Sequence, residues 1–179
     1  MPISVTAPKR FAALAAPLRA IVALTLKSES RRVGEVAIVL TDDAALRELN
    51  RGWRGIDRAT DVISFAYDEN EPDAATRPVN GDLVVSMDRV CEQAKRFGVT
   101  EGTELARLVI HGALHLGGHD HSQAGERTVM RGREEAAMRA ARAVIRGLDA
   151  ALPKSARAIA RTPKHKPAKP MARKKAATR

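Results

Sequence analysis

The chain has a single cysteine, Cys91, in 179 residues. No intrachain disulfide is possible, and the composition suits a reducing compartment, which places the protein in the cytoplasm. Cys91 reads as a small helix or core residue rather than a nucleophile. No run of 18 apolar residues exists, so the sequence predicts no membrane-spanning helix. Residues 9–26 have the basic start and apolar continuation of a secretory leader. Arg19 interrupts the apolar part, however, and Phe11, Leu14, Leu18 and Ile21 recur at helix spacing, which favours an amphipathic helix restarted at Pro17. Aromatics make up only 3% of the chain, leaving few side chains to stack on a nucleobase. Of those, Trp53 and Tyr67 are candidates for stacking or packing, and Phe65 reads as core.

The last thirty residues contain no acidic side chain. From Ala150 to Arg179 there are ten Lys and Arg, which leaves 21 basic residues against 21 acidic ones in residues 1–149. The excess of +10 therefore sits entirely in the tail. Rich in Pro, Ala and Lys, this tail has little to bury and is expected to be disordered. A cationic tail gains affinity for a polyanion by counterion release, which points to nucleic acid ahead of a solubility role or an acidic membrane surface. The expected organisation is one domain over residues 1–149 and a basic tail over 150–179.

What is present reads as strands first and helices late. Ile3 and Val5 suit a short strand, and the run from Val33 to Leu40 is rich in β-branched residues. Thr41 and Asp42 then offer a cap for a helix with Ala45, Leu46 and Leu49 on its apolar side. A strand follows at Asp61–Phe65, a polar loop from Tyr67 to Asn80, and a strand at Leu83–Ser86. Helices are expected at about 87–97, 102–116 and 123–149. This order predicts an α+β fold: a single domain with a small mixed β-sheet packed by helices and a metal-binding helix late in the chain, a zincin-like arrangement.

The segment HGALHLGGHDH places His111, His115 and His121 in the spacing H-x3-H-x5-H. Residues four apart lie one above the other on a helix, so His111 and His115 can share one ion. His121 can join them only if the chain turns back, and Gly117 and Gly118 allow that turn. Three imidazoles with the fourth position open form the catalytic rather than the structural zinc arrangement. The alternative is a pair of histidines satisfied by hydrogen bonds in an apolar helix. His119 suits a supporting or surface role rather than that of a fourth ligand. Asp120 suits either a support for a ligand histidine or a turn residue. Zinc peptidases with the same histidine spacing carry a glutamate after the first histidine as general base. Gly112 stands at that position, which argues against that mechanism.

Together with the segment NRGWRGIDRATDVISF (Asn50–Phe65) and the strand GDLVVS (Gly81–Ser86), the histidine segment resembles the YbeY endoribonucleases, bacterial rRNA maturation factors, over roughly residues 33–149. The resemblance implies a zinc-dependent, single-strand-specific endoribonuclease acting in small-subunit rRNA 3′-end maturation and ribosome quality control. Its partners would be single-stranded RNA and the small ribosomal subunit. It implies that His111, His115 and His121 hold one zinc ion and that Arg54 and His111 are catalytic. Met130 and Glu134 fall where the family has a Met and a Glu in its last helix. His119 stands where the family usually has Tyr, Gly117 where it has Leu, and the basic tail lies outside the common pattern. Arg54 suits a fork of donors to a phosphate oxygen, against an ordinary ion pair with Asp57 or Asp61. Thr60 and Asp61 read as structural residues at the start of the strand. No side chain stands out as a general base. Two other readings stay open: a zinc hydrolase of peptides or amides, and a non-catalytic ribosome-associated RNA-binding factor.

Overall fold

The computed structural model describes residues 2–67, 76–120, 124–153 and 176–177. His121, most of the basic tail and part of the loop after Tyr67 lie outside the described residues. Strands β1 (Ile3–Thr6), β2 (Val33–Thr41), β3 (Val62–Ala66), β4 (Val79–Ser86) and β5 (Ala176–Ala177) form one sheet in the order β1-β2-β4-β3-β5. The β1/β2 and β2/β4 pairs are parallel, and β3 runs antiparallel to both β4 and β5. The fold is thus α+β with a mixed sheet, as the order of elements predicts. The fifth strand, two residues of the tail, has no counterpart in the sequence reading.

Period-two alternation gives the sheet two apolar faces. Ile38, Leu40, Val62, Leu83 and Val85 point to the main core. Val39, Ile63, Phe65 and Val84 point the other way, toward Leu46 of α2 (Asp43–Arg54). The main core is closed by α1 (Ala15–Ser28), α4 (Glu101–Leu116), α5 (Ala124–Ala140) and α6 (Arg142–Ala151), with α3 (Met87–Phe97) packed beside α4. All of α4 is buried except Glu101, Thr103 and Arg107. Its nearly continuous apolar composition reflects contact with β3, β4 and four other helices.

Three elements differ from expectation for identifiable reasons. The N-terminal helix restarts at Ala15, after a 3-10 turn over Lys9–Leu14, so that Pro17 is the third helical residue. There its missing N–H costs nothing, because the first four helical N–H groups have no partner. Lys9–Ser28 is long and apolar enough to cross a membrane by length and composition. In the fold, Phe11, Leu14, Leu18, Ile21, Val22 and Leu26 are all buried in the core. Strand β4 starts at Val79 because Asn80 and Asp82, which read as loop residues, occupy the face opposite Val79, Gly81 and Leu83. Asn80 is held there as its Oδ1 accepts from Glu35 N (2.7 Å). The long last helix is broken at Ala141 (φ −85°, ψ 2°), where neither Gly nor Pro announces a break.

The N-terminus of α4 is finished from the far end of the domain. Thr100 caps it, accepting from Thr103 N (3.1 Å), and Asp149 of α6 accepts from Gly102 N (2.9 Å) and from Thr100 Oγ1 (2.9 Å). The carboxylate thus meets the positive end of the helix. A Cβ on Gly102 would lie 2.3 Å from Asp149 Oδ1, so the approach requires glycine. Asp149→Ala is expected to cost about 1–2 kcal/mol. Thermal melts should show it as a fall of roughly 3–6 °C.

Candidate active site

Helix α4 brings His111 and His115 onto one face, as spacing four requires. Both are 5% exposed, their Nε2 atoms are 3.2 Å apart, and their rings meet edge to face with centroids 4.8 Å apart. Two nitrogens bound to a tetrahedral zinc at 2.0–2.1 Å would be about 3.3 Å apart, so the pair fits such an ion. The same spacing fits an Nε2–H donated from one ring to the other.

The atoms behind the pair fit a metal as well as a hydrogen bond between the rings. Glu134 of α5 places Oε2 3.3 Å from His111 Nδ1. An ionised carboxylate only accepts, so a proton on Nδ1 would meet it and leave the Nε2 lone pair facing the shared space. Carboxylate behind imidazole is the arrangement that orients metal-ligating histidines. Among the described residues no group of three His, Cys, Asp or Glu converges on one point. The expected third ligand, His121, is outside them. For an ion held by the pair, Glu134→Ala is expected to weaken affinity about 10–100-fold. Titration against a competing chelator measures this directly.

The turn after α4 is carried by Gly118 (φ +96°), while Gly117 keeps helical angles (φ −71°). One glycine therefore does what the sequence assigned to two. The turn is tied to the end of α1: Arg31 Nη1 donates to Gly117 O (3.1 Å), and His119 Nε2 lies 2.8 Å from Glu29 Oε2. Arg133 of α5 also pairs with Glu29, so one nearly buried carboxylate joins three elements. Asp120 is exposed. A Cβ on Gly112 would lie 2.7 Å from Leu83 Cδ2, so this position faces the sheet and not the space between the histidines.

Arg54 lies elsewhere. It ends α2, which covers the opposite face of the sheet, and its Nη1 donates to Asn50 Oδ1 (3.4 Å). The two acids proposed as its ion-pair partners are engaged by others. Asp57 forms a two-point pair with Arg47 (2.7 and 2.8 Å). Buried Asp61 accepts from Val62 N (2.9 Å), Gln93 Nε2 (3.0 Å) and Thr60 Oγ1 (3.3 Å), which locks the entry to β3. Phe65 is core, with Trp53 packed edge-on against it at 5.5 Å. Tyr67 donates its hydroxyl to the buried Asp82 carboxylate; burial first, then that bond, raises its pKa above the ordinary phenol value.

A cavity of about 760 Å³ opens between α4 and α5 against His111, with Met130, Glu134 and several arginines on its walls. Arg54 is not among the described residues that line it. The arginines and Glu29 escaped the sequence reading. The arginines were visible as a four-residue period in the last helix, whereas nothing local marks Glu29.

Residues 6–142 match the family model described as Endoribonuclease YbeY. The chain belongs to that family. Such a protein is a nuclease, a hydrolase of phosphodiester bonds, and its partner is RNA. The chain is 47% identical over 111 residues to the endoribonuclease YbeY of Chloroflexus aggregans, covering 59% of this chain and 72% of the relative. It is 43% identical over 121 residues to that of Desulfitobacterium hafniense, covering 65% and 76%. The fold is similar to the solution structure of TM1509 from Thermotoga maritima, with TM-score 0.57, 29% identity, and coverage of 80% of this chain and 91% of that one.

Proposed function

We propose that this YbeY-family chain is a zinc-dependent endoribonuclease that cuts single-stranded RNA. Its setting would be the cytoplasm, in 3′-end maturation of the small-subunit rRNA and in ribosome quality control. The observation that carries the proposal is the buried imidazole pair, Nε2 to Nε2 at 3.2 Å, with the Glu134 carboxylate behind His111. His111 and His115 would hold the zinc, with His121 as the third ligand. Bound there, the ion would supply a Lewis acid for a phosphodiester oxygen and would lower the pKa of water toward neutrality. Glu134 holds the Nδ1 proton of His111 and keeps its ring in place. Arg54, on the other layer of the sheet from the histidines, would offer a planar pair of donors to an RNA phosphate away from the one at the ion. The basic tail adds sequence-independent affinity for RNA through counterion release.

The test sets purified protein against single-stranded and duplex RNA, with and without a chelator, beside Arg54→Glu. Cleavage of the single strand alone, lost with chelator, restored by zinc and reduced about ten-fold in the variant, is expected. Equal cleavage by the variant, or cleavage indifferent to chelator, removes the assignment. In the same series, a chain ended after Pro153 should bind RNA more weakly with a flatter salt dependence. Unchanged binding would assign the tail no part in it.

A further inference from the structure

The cavity beside His111 carries more positive charge than a metal site needs. Three of its arginines, Arg127, Arg131 and Arg139, come from the exposed face of α5 at multiples of four residues, and Arg107 comes from α4. Two are engaged. Arg107 pairs with the buried Glu104 and lies over the Phe97 ring at 4.9 Å, while Arg131 pairs with Glu135 at 3.3 Å. Arg127 and Arg139 are exposed, and no ion pair joins either to a described residue. Twelve residues apart on one helix, they are separated by about 18 Å, the length of the cleft wall.

Between them the wall changes character. Met130, 3% exposed, and half-buried Met138 line the same cavity. A thioether surface adapts to a flat apolar face, and a guanidinium matches the fork of phosphate oxygens. A groove with cations along a backbone track and an apolar surface for bases is how single strands are held without sequence readout. With only five aromatic residues in the chain, methionine takes the place usually given to a stacking ring.

We infer that Arg127 and Arg139 bind phosphates of single-stranded RNA as it runs along α5 to His111, and that Met138, backed by the buried Met130, forms the surface for a base between them. This rests on the endoribonuclease reading. It adds the path by which the strand enters.

The test uses the full chain with its metal and a phosphorothioate-linked single-stranded RNA, which keeps its charge and resists cleavage. Binding is measured by fluorescence anisotropy across a salt series for the wild type, Arg127→Ala/Arg139→Ala and Arg127→Lys/Arg139→Lys. The alanine pair is expected to raise Kd about ten-fold and to flatten the dependence of log Kd on log salt by about 1.4, or 0.7 for each lost phosphate contact. The lysine pair should restore the slope. On cleavable RNA, KM should rise with kcat within about two-fold and with metal content unchanged. An unchanged Kd and slope, an equal loss on duplex RNA, or a fall in kcat alone would overturn the inference. If the wild type cleaves no RNA while the slope still changes, the endoribonuclease reading fails and the binding groove stands.

Discussion

His115→Ala is expected to yield a folded chain that retains almost no zinc and cleaves RNA at or near background. His115 is 5% exposed and contacts His111 at 3.2 Å, so the change removes one of two converging lone pairs and leaves a small cavity. Loss of an outer carboxylate already weakens metal binding about 10–100-fold, and loss of a ligand nitrogen should exceed that. The surrounding helix keeps its apolar contacts on every other face, so the thermal transition should remain cooperative. Elemental analysis of purified variant and wild type gives the decisive number. Zinc bound at the wild-type ratio, with full cleavage, would mean that the imidazole pair is a core hydrogen bond.

Gly112→Glu should have the largest effect on stability. The substitution supplies the base that the peptidase pattern demands, at the position it demands. In this fold the side chain would start 2.7 Å from Leu83 Cδ2 and 3.5 Å from Val62 Cγ2, inside the main core. A carboxylate there has no partner. Strain and desolvation together are expected to cost about 4 kcal/mol or more, among the largest values for single substitutions. Melting should fall by roughly 10 °C or more, with no gain of peptide hydrolysis. A variant that melts like the wild type would show that α4 can turn this position toward the cavity, and the peptidase alternative would regain ground.

The sequence made His111 and His115 legible because their geometry is local. Spacing four on a helix determines which side chains meet, whatever the helix packs against. The same holds for Gly112, whose identity excluded a base before its position against Leu83 was known. What remained hidden depends on distant segments. Glu29 reaches His119 and Arg133 across 90 and 104 residues, and no local pattern marks such a carboxylate. Strand β4 began earlier than its apolar run, because Asn80 and Asp82 gain partners, Glu35 N and Tyr67, that only the assembled sheet supplies. The break at Ala141 was invisible for the opposite reason. Alanine is the best helix former, and the chain turns there with Ala141 N still donating to Ala137 O (2.9 Å). The W-R-G segment was found through family likeness and not through geometry, and its arginine lies on the far layer of the sheet from the histidines.

Asp149 gives the domain an order of completion. The helix that carries the histidines starts at Glu101, yet the Gly102 N–H in its first turn is met by a side chain 47 residues later. During synthesis, α4 leaves the ribosome before α6 does, and its first turn gains this last bond only when Asp149 follows. The N-terminal cap of the histidine-bearing helix is thus complete only after nearly all of the described domain has been made. A domain built this way reaches its full stability only once its last helix has left the ribosome.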